Sequence, residues 1–119
     1  MSKKSNLIQD KSCNFALSII ALYKNLTEQK EFIISKQLLR CSTSIGANIE
    51  EAIAAQSKKD FISKMSIASK ESREAKYWLR LLDDSQFVKF DFKKYLEEIN
   101  EIISIITAIV KTSQSKLNS

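Results

Sequence analysis

The near absence of turn-forming residues is the feature that most restricts the fold of this chain. Its 119 residues include one glycine and no proline. Hairpins and tight connections between strands draw on both residues to reach their special backbone angles. The composition therefore argues against a β architecture, and the length allows one domain with one core.

Four segments carry apolar residues at helical spacing. They predict helices at about residues 6–29, 35–56, 57–82 and 92–113. The connections between them are short, which favours antiparallel packing of neighbouring helices. We therefore predict that residues 1–119 form a single all-α domain, an antiparallel up-down-up-down four-helix bundle.

Several polar residues predict where these helices begin. Ser35 is a plausible N-cap of the second helix, and Ser57 with Asp60 matches the Ser-x-x-Asp pattern of a capping box. Asp91 is the expected cap of the fourth helix. The C-terminal residues 113–119, SQSKLNS, are expected to fray.

Two local features refine this prediction. Gly46 lies among small residues of the second helix and is expected to mark a close crossing of two backbones, the alternative being a loop that begins there. The segment from Phe87 to Phe92 is expected to fold back as an aromatic cover on one end of the bundle.

Composition excludes several classes of function. The two cysteines, Cys13 and Cys41, form no CxxC pair, and the chain contains no histidine. We expect reduced core thiols, a structural disulfide being the alternative, and no metal site, cofactor, small-molecule substrate or catalytic residue. The chain has no apolar run of the roughly 20 residues that cross a bilayer and no secretory signal, so a cytoplasmic location away from membranes is expected.

The second helix carries hydrogen-bonding groups along a face separate from its apolar face. At about 100° per residue, four side chains fall on this face. We call them the polar stripe: Arg40, Ser44, Asn48 and Glu51. Because a buried arginine and a buried glutamate are costly unless paired, we hypothesise that the polar stripe forms a network across an oligomer interface. The alternative is an exposed pair on a monomer surface.

The order QLLRCSTSIGANIEEA followed by SKKDFISKMSIASKESREAKYWLRLL resembles the small bacterial proteins of 23S rRNA intervening sequences, also called the S23 ribosomal protein family. The similarity covers roughly residues 15–82. The family pattern R-S-x-x-S-I-x-x-N-I-x-E-[GA] falls on Arg40 to Ala52, with Cys41 in place of the usual serine and Ala52 in place of a common glycine. The resemblance implies a four-helix bundle that forms a homopentamer and has no known catalytic activity.

A related group, the accessory variability determinants of diversity-generating retroelements, is similar in fold. That likeness implies binding to nucleic acid and to a reverse transcriptase. The helix-two motif of this chain looks nearer to the intervening-sequence branch. Neither likeness by itself implies contact with the ribosome.

Charge gives the main functional signal. Residues 57–82 hold seven lysines and arginines against three acids. Six of these cations fall within an arc of about 120° on the predicted third helix, with Asp60, Glu71 and Glu74 on the opposite flank. We call them the basic stripe: Lys58, Lys59, Lys70, Arg73, Lys76 and Arg80.

A line of cations without interleaved acids suits a phosphate backbone, because each cation near a phosphate releases counterions. The sequence thus favours a non-enzymatic oligomer that binds nucleic acid, structured RNA in particular. The alternatives are a solvated face with a Lys70–Glu74 pair, an acidic protein partner, or a scaffold that binds protein through residues 87–92 or the fourth helix. Tyr77, inside the arc, either stacks on a base or packs half-buried, and Trp78 lies at the edge of the core.

Overall fold

The computed structural model describes residues 3–118, which form four α-helices. These are α1 (Lys3–Glu28), α2 (Ile34–Ile53), α3 (Lys58–Ser85) and α4 (Lys93–Asn118). Both α1 and α3 pack against α2 and α4, in a rod with extents of 50 × 21 × 21 Å. The predicted antiparallel four-helix bundle is confirmed. Within the described part of the chain, no helix is both long and apolar enough to pass through a bilayer.

The core lies along the axis of the rod, where the four apolar faces meet. Helix α3 shows the pattern most clearly, because its buried residues alternate at steps of three and four. They are Met65, Ala68, Ser72, Ala75, Leu79 and Leu82. The larger buried side chains, such as Phe15, Ile45 and Ile99, fill the space between helices. Each such side chain contributes about 1.5 to 3 kcal/mol through burial.

The N-cap prediction for α2 was wrong. Ser35 lies inside the helix, and its hydroxyl donates to the Glu31 carbonyl oxygen at 2.7 Å. The cap is the Glu31 carboxylate, which accepts the backbone N–H groups of Ile33, Ile34 and Ser35 at 3.3, 2.9 and 2.6 Å. Glu31 is only 5% exposed. A tight turn with Lys30 in the left-handed region, φ 68°, brings this carboxylate over the helix end.

The connection between α2 and α3 is longer than the sequence predicted. Helix α2 ends at Ile53 rather than near residue 56, and residues 54–57 make the connection. The Ser57 hydroxyl accepts the Asp60 N–H at 3.0 Å, which confirms the predicted cap of α3. Ser57 adopts the extended backbone angles of an N-cap, φ −145° and ψ 161°.

The segment between α3 and α4 covers one end of the bundle, as predicted, except at its first residue. Val88 and Phe92 are buried, and the Phe90 ring lies 5.1 Å from that of Phe92, centroid to centroid. Phe87 instead points outward and is 74% exposed. The Asp91 carboxylate accepts the Lys93 N–H at 3.0 Å and confirms the predicted cap of α4.

The predicted fraying of the C-terminal residues was wrong for residues 113–118, which are helical, and Ser119 lies outside the described residues. Helix α4 continues to Asn118, five residues beyond the predicted end at 113. No glycine or proline interrupts this stretch, and Lys116 in the last turn complements the negative end of the helix dipole. Helix α3 also runs further than predicted, to Ser85, where Gln86 ends it in the left-handed region with φ 46°.

Gly46 lies within a continuous α2, so the loop alternative is wrong. A Cβ atom built on Gly46 would lie 3.6 Å from the Ser12 hydroxyl oxygen and 3.9 Å from the Ser12 backbone carbon on α1. The predicted crossing is therefore present, but its spacing is that of ordinary van der Waals contact. An alanine fits this position.

The two cysteines have different environments. Cys41 is fully buried, and burial, with a further contribution from the Glu74 charge, raises the pKa of its thiol from 9.0 to about 12. Cys13 is exposed, because Ser12 beside it takes the core position on α1. Both thiols are free. The prediction of a reduced core thiol is therefore confirmed for Cys41. For Cys13 the predicted core position was wrong, because its side chain is exposed.

Removing the cap of α2 is expected to destabilise the fold. Glu31→Ala leaves three backbone N–H groups without their acceptor, and we expect a loss of about 1 to 3 kcal/mol in unfolding free energy. Urea denaturation followed by circular dichroism measures this loss. The control is Glu28→Ala, which removes an exposed acid from the last turn of α1, where a negative charge is unfavourable. Equal losses in both variants would contradict the capping role.

Gly46→Ala is expected to stabilise the protein. The methyl group fits against Ser12, and alanine in a helix interior is favoured over glycine by about 0.5 to 1 kcal/mol. The matched control is Ala47→Gly at the neighbouring exposed position, which should lower the unfolding free energy by a similar amount. A lower melting temperature for Gly46→Ala would show that α1 and α2 require the bare backbone.

Candidate functional site

Helix α3 carries Glu71 and Glu74 on one flank and the basic stripe on another, whereas its remaining cation, Lys64, pairs with Glu51 of α2. Glu71 and Glu74 lie on the flank that packs against α2. Arg73, of the basic stripe, lies on the flank that packs against α4, where its Nη2 atom donates to the Thr107 hydroxyl at 3.3 Å. In this part of α3, the side chains next to α2 are negative and the side chain next to α4 is positive.

Arg40 holds the acids of α3 on the α2 side. Its guanidinium forms an ion pair with Glu74 and lies 3.5 Å from a Glu71 carboxylate oxygen. Glu74 also accepts the indole N–H of Trp78 at 3.0 Å. The alternative prediction of a Lys70–Glu74 pair does not hold, because Glu74 turns to Arg40 and no ion pair forms at Lys70 among the described side chains.

The basic stripe is open to solvent along most of its length. Five of its residues are exposed and Lys76 is half-buried. Within residues 3–118, none of the six cations takes part in an ion pair. Their positive charge is therefore available to a ligand.

Helix α4 extends this positive surface with residues that sequence reasoning missed. Thr107 contacts Arg73, and Gln114 lines a shallow pocket with Lys59. Lys111 follows Thr107 by one helical turn and so lies on the same flank of α4. The acids Glu98 and Glu101 bond elsewhere, to Lys94 within α4 and to Lys11 of α1 respectively. The sequence shows the i, i+4 spacing of Thr107 and Lys111. It does not show which flank of α4 adjoins α3, so this part of the site could not be predicted.

The continuation of α3 to Ser85 limits the basic stripe at one end. Asp84 lies four residues after Arg80 and therefore on the same flank. The sequence-based prediction placed Asp84 in a break after the helix. The stretch without carboxylates thus runs from Lys58 to Arg80 and stops there.

Within the chain, the four residues of the polar stripe of α2 do not form one connected network. The Asn48 amide donates to the Ser44 carbonyl oxygen at 2.9 Å and to the Ser44 hydroxyl at 3.1 Å. Arg40 bonds instead to the acids of α3, and Glu51 forms an ion pair with Lys64 of α3 at 3.3 Å. The charged members of the stripe therefore have partners in the same chain. Their assignment to an oligomer interface stays a prediction.

Comparisons with known proteins give this chain a family. The sequence profile described as 23S rRNA-intervening sequence protein matches residues 4–108, from α1 into α4. A crystal structure from Bacteroides thetaiotaomicron VPI-5482, of a protein with unknown function from the S23 ribosomal protein family, is similar with a TM-score of 0.84. The two sequences are 47% identical, over 91% of this chain and 98% of that one. No curated protein matches the chain. The chain belongs to the family of 23S rRNA-intervening sequence proteins, as its helix-two motif predicted.

Proposed function

We propose that this protein is a non-enzymatic homo-oligomer that binds nucleic acid, structured RNA in particular, through the basic stripe of α3. The observation that supports this function is the separation of charge on α3. Glu71 and Glu74 face α2, where Arg40 engages them, and the six cations of the basic stripe form no ion pair in the described part of the chain.

The shape of the stripe suits a phosphate backbone better than a row of base edges. From Lys59 to Arg80 the helix rises about 32 Å, so the stripe is long enough to contact several successive phosphates of an RNA stem. A straight helix of this length presents its cations along a line, and each cation near a phosphate adds affinity that carries no sequence information. We therefore expect binding with little sequence specificity.

A scaffold function is the alternative, and one observation favours it. Phe32, Ile33 and Phe87 line a shallow apolar pocket at one end of the bundle and are 60%, 78% and 74% exposed. Phe87 belongs to the aromatic segment that sequence analysis singled out for protein binding. An apolar interface of this kind depends weakly on salt, whereas binding to phosphates depends on it strongly.

Neutralising part of the basic stripe is expected to weaken RNA binding and its salt dependence. The test variant is Lys59→Gln, Lys70→Gln and Arg80→Gln combined, all at exposed positions. Fluorescence anisotropy with a labelled RNA hairpin at several potassium chloride concentrations measures both effects. For the wild type we expect a steep fall in affinity with salt, and for the variant a slope smaller by about 2 to 3, about one per cation removed.

The matched control removes the same charge elsewhere. Lys24→Gln, Lys36→Gln and Lys89→Gln combined changes exposed lysines outside the basic stripe. We expect its affinity and salt slope to stay near those of the wild type. If both triple variants lose affinity equally, the overall net charge rather than the stripe attracts RNA. If the wild type does not bind the hairpin, the scaffold function is favoured.

The proposed self-association also has a direct test. The side chains of Arg40 and Glu51 are 52% and 59% exposed despite their bonds to α3, so a second subunit can reach them. Light scattering after size-exclusion chromatography should give a multiple of the 13.6 kDa chain mass, five-fold if the family resemblance holds. Arg40→Ala should dissociate the assembly and the control Arg80→Ala should not. An assembly unchanged by Arg40→Ala would place the interface away from the polar stripe.

A further inference from the structure

An exposed aromatic ring lies within the basic stripe. Tyr77 is 53% exposed. Arg73 lies one turn before it on α3, Arg80 three residues after it and Lys70 two turns before it, so all three share its side of the helix. A large ring at such an exposed position contributes little to the hydrophobic core. Basic side chains lie before and after it along the helix.

Neighbouring side chains hold the ring in place. The ring centroids of Tyr77 and Trp78 are 5.2 Å apart at an interplanar angle of 63°, a T-shaped contact that occupies at most one face of the tyrosine. Trp78 is in turn fixed by its hydrogen bond to Glu74, which forms an ion pair with Arg40 of α2. The orientation of Tyr77 is thus supported by a chain of contacts that reaches across to the next helix.

The fold itself makes little use of this ring. The Tyr77 hydroxyl forms no hydrogen bond to any other described residue, whereas a tyrosine that packs in a core usually finds a partner for it. A pre-oriented ring with one face open, among cations that hold phosphates, is the arrangement that proteins use to stack an unpaired base.

We propose that Tyr77 stacks on an unpaired base, and that the RNA ligand therefore combines a paired stem with a bulged or flanking nucleotide. This inference rests on the proposed function and specifies the form of RNA that the basic stripe prefers. Bases inside a stem are stacked on one another and cannot reach Tyr77, so the stem contacts the cations through its phosphates. Arg73 and Arg80, about 10 Å apart along α3, contact the phosphates on either side of the unpaired base.

Two RNA hairpins with the same stem test this proposal. One is fully paired, and the other carries a single bulged 2-aminopurine, whose fluorescence falls when it stacks on an aromatic ring. Tyr77→Ala should weaken binding of the bulged hairpin by about 5- to 100-fold and change binding of the paired hairpin by less than twofold. Tyr77→Phe should restore both the affinity and the fluorescence quenching, since stacking needs the ring and not the hydroxyl.

Phe87→Ala is the matched control, because Phe87 is an exposed aromatic residue outside the basic stripe. It should leave binding of both hairpins unchanged, and a loss equal to that of Tyr77→Ala would overturn the assignment. The assignment is also overturned if Tyr77→Ala binds both hairpins like the wild type while the triple variant of the basic stripe weakens both. In that case the proposed function stands without base stacking. If the wild type binds neither hairpin, the proposed function itself fails.

Discussion

The contact between Arg40 and two carboxylates of α3 joins α2 to α3 and engages the two acids that lie opposite the basic stripe. Glu74 lies four residues after Lys70, a spacing that allows an ion pair on a helix, but both Glu71 and Glu74 turn toward the guanidinium on α2. The exposure of Arg40 limits what these pairs add to stability. Their larger effect is on the surface, because they neutralise the two acids that helical spacing places opposite the basic stripe and hold Trp78 through Glu74.

The four helices and their core were predictable because each apolar face repeats at the helical period over more than five turns. The helix ends were less predictable, because they depend on groups outside the repeat. Glu31 caps α2 from the preceding turn, which no pattern within the helix reveals. Helix α2 ends at Ile53 although no glycine or proline follows it, and the continuation of α4 to Asn118 follows from the absence of any residue that would stop it.

The candidate site was predictable to the same limited extent. Helical spacing placed the six cations of the basic stripe on one side, and the structure keeps them there. Spacing does not tell which neighbour lies on which side of α3, since that depends on the arrangement of all four helices. For this reason the engagement of Glu74 by Arg40 and the contribution of Thr107 and Lys111 became visible only in three dimensions. The end of the basic stripe at Asp84 could not be predicted either, because it depends on where α3 ends.

The unequal burial of the two thiols has a chemical consequence for any measurement of self-association. Cys41 is enclosed in the core and stays protonated well into the alkaline range, so it resists oxidation and alkylation. Cys13 faces outward on α1 and is the thiol that oxidants reach. A disulfide formed in air would therefore join two molecules through Cys13. Such covalent dimers would be removed by a reducing agent, whereas an assembly held by non-covalent contacts would remain.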